Sequence, residues 1–472
     1  MYDLLILGDF AAREHVERAP REPLARRKTW RVDRDNVDEV MTAIAPELRI
    51  AIEPDAPPVV LQFKSFEDFH PDQLAQRVPL LQQLRALRAE LAAPTRPAPS
   101  PRQSVRTSGT AGQAAAVIGG GSLLDRILDA PGGSASATPA VGPNDELSDF
   151  VNRAVQGHVV GDVSASSRDQ ITMVDETIAA TLRVLLHDPS FQALEALWRG
   201  IDLITRRIDT SESLHLTLAD VTRSELLAAL ADESDASAGG LRTLFEAPSP
   251  EGDGSRWTVA IAAHSFGDGN VASLDRLARL SKDAGVPCIA AAEPSLAGAT
   301  TFGDGSDADD WNAESSAEWE QLRRSDAARW LALALPRFLA RIPYGEKGEP
   351  CEVVQFEEIA TDRPAHEGFL WGNPALLCAV VLGESAADGE PWATHGTVDH
   401  LPFHVVRIDG EPTAIPCAET LLSQRSLVYL LDRGLTALAS ERDGDAVRIP
   451  RLQSIANPAA RLAIGSGPGE RS

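Results

Sequence analysis

Cysteine is scarce and scattered: the 472 residues hold four, Cys288, Cys351, Cys378 and Cys417, with no CxxC pair among them. So few, so far apart, give no basis for a disulfide framework or a thiolate metal cage, and reduced thiols are expected. Long apolar runs are missing too. No stretch reaches the roughly 18 residues of a membrane span, and the opening MYDLLILGDF lacks the basic flank and long apolar region of a secretory leader. The cytoplasm is therefore the expected compartment. Positive charge is in deficit, with Lys+Arg 44 against Asp+Glu 69 and a formal net charge of −25, which argues against a nucleic-acid footprint and against docking on an anionic membrane. The deficit is uneven. Residues 1–95 hold 16 acidic against 13 basic side chains and residues 96–145 hold 3 against 4, which leaves −23 on residues 146–472.

Catalytic templates are equally absent. There is no GxxxxGK[ST] to cradle phosphates, no GxGxxG after a strand and no GxSxG nucleophile elbow. His395, His400 and His404 lie within ten residues, and the last two have the spacing of a helical zinc pair. Pro402 between them opposes a helix, however, so a metal-dependent enzyme is a distant alternative to solvated loop histidines. The acidic run Asp304, Asp307, Asp309, Asp310 and Glu314 misses the register of a calcium loop and reads as a solvated loop. Glu357 and Glu358 are adjacent, so on an extended chain they point to opposite faces and cannot flank one substrate. The one basic run, with Arg26, Arg27 and Lys28 at its centre, is the natural place for a partner's acidic surface. No catalytic residue, cofactor, metal or small-molecule substrate is expected.

Hydrophobic periodicity organises the rest. DLLILGDF is a short buried strand; a strand near Arg31 precedes a helix with Val37, Val40, Met41 and Ile44 on one face; Val59–Phe63 is another strand. Pro79 interrupts the helical pattern that begins after Pro71 and predicts a kink or break there. Residues 93–145 are rich in Pro, Ala, Gly and Ser and read as a linker carrying one short amphipathic helix near 122–129. Beyond it, helices at 169–187 and 189–208 lead into alternating strands and helices: SLHLTLADV, TVAIAAHSF and VPCIAAAEP as strands, LDRLARLSKDAG as a helix. SAEWEQLRRSDAARWLALAL reads as one helix closed by Pro336, CEVVQF, HVVRI and AVRIP as strands, and NPALLCAVVLG and AETLLSQRSLVYLLDRG as helices. The residues after 458 read as a frayed tail. Strands alternating with helices indicate a layered α/β fold.

The strings themselves carry a resemblance. LGDF at 7–10, RVDRDNVDEVMTAIAPEL at 31–48 and FKSFEDFHPDQLAQRVPLLQQLRALRAEL at 63–91 resemble the small sheath subunit of the bacterial type VI secretion system, the VipA/TssB family. Residues from about 168 to 458, through the strings DPSFQALEALWRG, HSFGDG, LARLSKDAGVPCIAAAEP, EWEQLRRSDAARWLALALPRFLARIPYG, FEE, FLWGNPA, PCAETLLSQRSLVYLLDRGL and RIPRLQSIANP in order, resemble the large subunit, the VipB/TssC family. The resemblance implies an α+β layered sheath-type fold with mixed sheets and flanking helices. It divides the chain into a small-subunit-like domain at 1–92, the linker at 93–145, a large-subunit-like domain at 146–458 and a disordered tail at 459–472.

The resemblance also implies a structural role: a contractile-sheath subunit that assembles with other sheath subunits, and with inner-tube and baseplate proteins, without catalysis. A linker of about 50 residues spans some 40 Å, enough for the two domains to dock within one protomer. Large subunits of the family continue beyond the region equivalent to Pro450–Ser454 with a strand that pairs with neighbouring protomers. This chain stops at Ser472, so a C-terminally truncated large subunit is expected, with a paralogue that caps, nucleates or scaffolds the sheath as the alternative. Within the matching strings Trp198, Trp330, Trp371 and Tyr344 are expected to pack the core or a subunit contact. Arg199, Arg337 and Arg341 are expected to meet carboxylates or a neighbouring subunit.

Overall fold

The computed structural model describes residues 2–14, 22–52, 57–93, 167–208, 210, 214–231, 235–247, 256–303, 307–312, 316–346, 348–360, 366–387, 393–408, 411–442 and 444–465. Beyond residue 93 the expected linker and its short helix near 122–129 lie outside the described residues, as do residues 466–472. The strands are β1 (Tyr2–Gly8), β2 (Thr29–Val32), β3 (Glu47–Ile50), β4 (Val59–Gln62), β5 (Leu214–Asp220), β6 (Val259–Phe266), β7 (Cys288–Ala292), β8 (Leu331–Leu335), β9 (Phe338–Leu339), β10 (Trp371–Gly372), β11 (Gly396–Val398), β12 (His404–Ile408), β13 (Glu411–Ile415), β14 (Thr436–Ala437), β15 (Ala439–Ser440) and β16 (Val447–Ile449). The helices are α1 (Val37–Ile44), α2 (Pro71–Arg77), α3 (Pro79–Ala92), α4 (Ser167–Leu186), α5 (Pro189–Arg207), α6 (Arg223–Ala231), α7 (Asp235–Glu246), α8 (Val271–Ala284), α9 (Ala317–Arg323), α10 (Pro374–Ala387) and α11 (Gln424–Asp432).

The chain divides into two compact units, residues 1–71, 183–351 and 356–472 in one and 72–182 with 352–355 in the other. The larger is built on a seven-stranded sheet in the order β14-β8-β7-β6-β1-β5-β2. All neighbours are parallel except β2, which runs antiparallel at one edge. The N-terminal strand β1 is thus an inner strand. Leu4 through Leu7 pair with β5 on one side and β6 on the other, and all four are fully buried.

An inner parallel strand is covered on both faces and reads as a continuous apolar run, which is what LLIL supplies. One face packs Leu5, Leu7, Ala260, Ala262, Ala290 and Leu333 against Leu226 of α6, Phe245 of α7 and Leu274 and Leu277 of α8. Helix α10, apolar around its whole circumference from Pro374 to Gly383, lies against β5, β6, β7 and β8 and crosses α5. That crossing is close: a Cβ on Gly200 of α5 would stand 2.3 Å from Leu376, and one on Gly383 of α10 would stand 2.1 Å from Ile208. A larger residue at either place requires the Leu376 or Ile208 side chain to move.

Several elements depart from the sequence expectation. LALAL is the buried strand β8 and not the end of a helix: α9 stops at Arg323, a short 3-10 turn covers Asp326–Trp330, and the chain then pairs with β7 and β14. A short apolar run fits both periods, and the sheet decides. CEVVQF forms no strand, because the Glu352 and Val353 N–H groups donate to the Asp72 carboxylate at 2.8 and 2.9 Å. The helical pattern after Pro71 breaks outright at Val78, with Pro79 at the first position of α3. In the smaller unit Arg88 of α3 meets Asp175 of α4 at 2.5 Å. Of the tail, the described part folds back: Leu462 is buried and the Ala463 N–H donates to Arg329 O at 2.9 Å. Among the described residues no helix is long and apolar enough to cross a membrane.

Candidate functional site

Helix α5 places the first group of expected residues. Asp188 caps it through the Ser190 and Phe191 N–H groups, and its buried stripe includes Phe191, Leu194, Glu195, Trp198 and Ile201. Trp198 is fully buried, donates its Nε1–H to Phe10 O at 3.1 Å and meets the Phe10 ring edge-on at 5.4 Å. One turn back, Glu195 is fully buried and accepts from Arg199 Nε at 2.8 Å and Arg341 Nε at 2.8 Å. Arg341 also reaches both oxygens of Glu358, at 2.6 and 2.9 Å, and stacks over the Tyr344 ring at 4.1 Å. Tyr344 accepts a hydrogen bond on its hydroxyl from Arg199 at 2.9 Å and donates its N–H to Glu358 at 2.8 Å.

Two arginines, two glutamates and a tyrosine therefore form one buried network. Burial by itself raises the Glu358 carboxyl, but Arg341 above all outweighs it and holds the group at about 2. The network is a brace. It ties α5 to the segment 341–358, and its members, turned toward one another, are poor candidates for a free surface.

Arg337 and Trp371 form a second group with two residues that carry no signal in the sequence, His366 and Glu419. Arg337 binds Glu419 through Nε at 3.0 Å and Nη2 at 2.5 Å, His366 Nε2 lies 2.8 Å from the same carboxylate, and Trp371 stacks on the His366 ring at 5.0 Å while donating to His366 O. The Arg337 side chain is 46% exposed and Glu419 only 4%. This network opens to solvent on its arginine side. Trp330 lies half-buried on the turn before β8.

The basic run separates by position. Arg26 and Lys28 are exposed, Lys28 standing over the Trp30 ring at 5.4 Å. Arg27 is turned inward and donates to Asp220 O at 2.8 Å and Glu225 at 2.8 Å, beside Arg13, which binds Asp220 at 2.8 Å and Glu225 at 2.6 Å. The expected three-residue patch is thus two residues wide, because Glu225 at the start of α6 recruits the third. Burial raises the Glu225 carboxyl, and the hydrogen bonds from Arg13 and Arg27 reverse this to about 2.

The histidine trio does not converge. His400, largely exposed, lies 3.3 Å from Asp445, and His404 meets Phe369 edge-on at 6.3 Å. Among the described residues no three His, Cys, Asp or Glu side chains form a metal-holding group. Glu357 and Glu358 diverge: Glu357 accepts from the Glu346 N–H at 2.9 Å while Glu358 is buried against Arg341.

Three strongly depressed carboxyls give a pH dependence. Glu225, Glu358 and Glu419 are each held at about 2 against an ordinary 4.5. Lowered folded values mean stability that is present above about pH 4.5 and lost as pH falls toward 2. Each contributes on the order of 3 kcal/mol. Urea midpoints measured from pH 7 to 3 are expected to hold down to about pH 5 and then fall steeply; a flat profile to pH 3 contradicts these pairings.

These ion pairs tie α5 and α6 to neighbouring segments of the chain. Residues 168–456 match the family described as EvpB/VC_A0108, tail sheath N-terminal domain, and the chain belongs to that sheath family. Ahead of it, residues 1–101 match the family described as type VI secretion system, VipA, VC_A0107 or Hcp2. The type VI secretion system sheath protein TssC1 of Pseudomonas aeruginosa is 27% identical over 335 residues, 65% of this chain and 66% of that protein, so the match spans just under two thirds of that relative's length.

Proposed function

We propose that the protein is a structural component of a type VI secretion sheath, a subunit that carries the small and large sheath elements in one chain and acts by assembly with other sheath subunits. Support comes chiefly from one observation. The segment matching the VipA family supplies β1 and β2 of a sheet whose other strands come from the segment matching the VipB family. Such a chain brings both sheath elements to the polymer at a fixed one-to-one ratio. Its work is mechanical and takes place in the cytoplasm, with inner-tube and baseplate proteins as further partners and no reaction catalysed.

Velocity sedimentation of the purified full chain over a hundredfold concentration range tests this reading. A polymerising subunit shifts to large, concentration-dependent species. A single slow boundary at every concentration and salt overturns it, and a small discrete ring favours the capping or nucleating alternative.

A further inference from the structure

At the carboxyl ends of β1, β5 and β6 lies a pocket of about 170 Å³, open to solvent on one side beside the exposed Ala193. It lies where the sheet order turns back: β5 stands on one side of β1, and the next strand in sequence, β6, stands on the other. Ligands of open parallel sheets sit outside the carboxyl ends of the strands at such a reversal. The walls include Leu48, Leu194 and Leu197, and the polar lining residues among those described are Asp9, Glu14, Ser190, Arg223 and His264.

A bulge in β6 aims the histidine. The register to β7 jumps between Ala262 and Ser265, so Ala263 and His264, both lining the cavity, have no partner on β7. His264 is 7% exposed and its Nε2 lies 3.0 Å from Val221 O. That contact assigns the proton to Nε2 and leaves the Nδ1 lone pair as an acceptor. Burial keeps the ring neutral, its value pushed down to about 4.

The other groups set the charge. Asp9 accepts the Arg13 and Glu14 N–H groups at 2.7 and 2.8 Å, and Glu14 accepts the N–H of Ser224 at 3.1 Å and its hydroxyl. Each carboxylate keeps further lone-pair sites. Burial raises the Asp9 carboxyl, so a cation placed beside it is stabilised. Among the described residues Arg223 is the one cation lining the pocket, and it is already engaged with Ser265 O at 3.1 Å, Asn270 Oδ1 at 3.0 Å and Glu293 at 3.5 Å. Asp9, Glu14 and His264 bring acceptors to the pocket, and Leu48, Leu194 and Leu197 bring apolar surface.

We propose that this cavity binds a small primary alkylammonium ion, its three N–H donors taken by Asp9, Glu14 and His264 Nδ1 and its alkyl part lying against Leu48, Leu194 and Leu197. This goes beyond the assembly role. Because Asp9, Glu14 and Leu48 belong to the segment matching one sheath family and the remaining polar and leucine groups to the other, the ion also braces the two segments together.

Calorimetry and thermal melts of the full chain at pH 7 with n-butylammonium chloride test it, with n-butanol and n-butyrate as probes of equal length. Saturable one-to-one binding is expected, with a rise in Tm because the ligand binds the folded state alone. Butanol, butyrate and the Glu14→Gln variant each bind at least about tenfold more weakly, as loss of a charged hydrogen bond requires. Ala193→Leu, which adds bulk at the open side of the pocket, weakens binding. Glu14 is only partly buried, so Glu14→Gln keeps the fold and is decisive by itself. Absence of saturable binding, equal affinity for butanol, or unchanged affinity in Glu14→Gln overturns the proposal.

Discussion

Leu5→Asp leaves the chain unfolded: the expected result is loss of the cooperative thermal transition and recovery of the protein in the insoluble fraction. Leu5 has no exposed surface, sits on β1 between β5 and β6, and contributes to the core that Leu226, Phe245 and Leu274 complete. Truncating a buried leucine costs about 2 to 5 kcal/mol. A carboxylate in its place has no cation in that apolar cluster, which adds several kcal/mol more. Set against a total stability of about 5 to 15 kcal/mol, that is enough to abolish folding. Far-UV circular dichroism and a solubility assay read the outcome. A soluble variant whose Tm lies within a few degrees of the parent contradicts the placement of β1 inside the sheet.

Arg341→Met has the second largest effect. The side chains are close in volume, so the change removes charge more than bulk. It leaves Glu195 and Glu358, both essentially without exposed surface, facing each other without their shared cation. Breaking a buried ion pair in this way costs about 3 to 5 kcal/mol, whereas replacing all the charges by neutral groups is far cheaper. The triple variant Arg341→Met, Glu195→Gln, Glu358→Gln is accordingly expected to recover at least half of the lost stability in urea titrations. A single-variant loss under about 1 kcal/mol, or a triple variant less stable than the single one, rules out the brace.

How much of the fold is legible in the sequence differs from residue to residue. The apolar run at Leu4–Leu7 announces a buried strand, but nothing local says that its neighbours are β5 and β6, more than two hundred residues along the chain. Pairing partners are tertiary information. For β5, the alternation of Leu214, Leu216 and Leu218 suggests one buried face, whereas His215 and Thr217 are buried as well, His215 beside Asp3 at 3.1 Å. A polar pair satisfied inside the sheet mimics a solvated face.

The brace is half visible. Arg199 and Arg341 stand out through the family resemblance, and Glu195 falls at helical spacing between Phe191 and Trp198, which places a carboxylate on an apolar stripe. That mismatch is the available signal for a buried ion pair. Glu358 and Glu419 offer none, since an acidic residue in an irregular segment looks the same buried or exposed until its arginine is known. Arg323 escapes notice for a related reason. It is buried at the end of α9 and serves backbone carbonyls, Ile455 O at 3.0 Å and Asp432 O at 2.8 Å, which have no sequence signature.

The most direct test of the sheath role is negative-stain electron microscopy of the purified full-length chain. Tubes with regular helical striations are the expected result, and dispersed single particles at every concentration and ionic strength would contradict it.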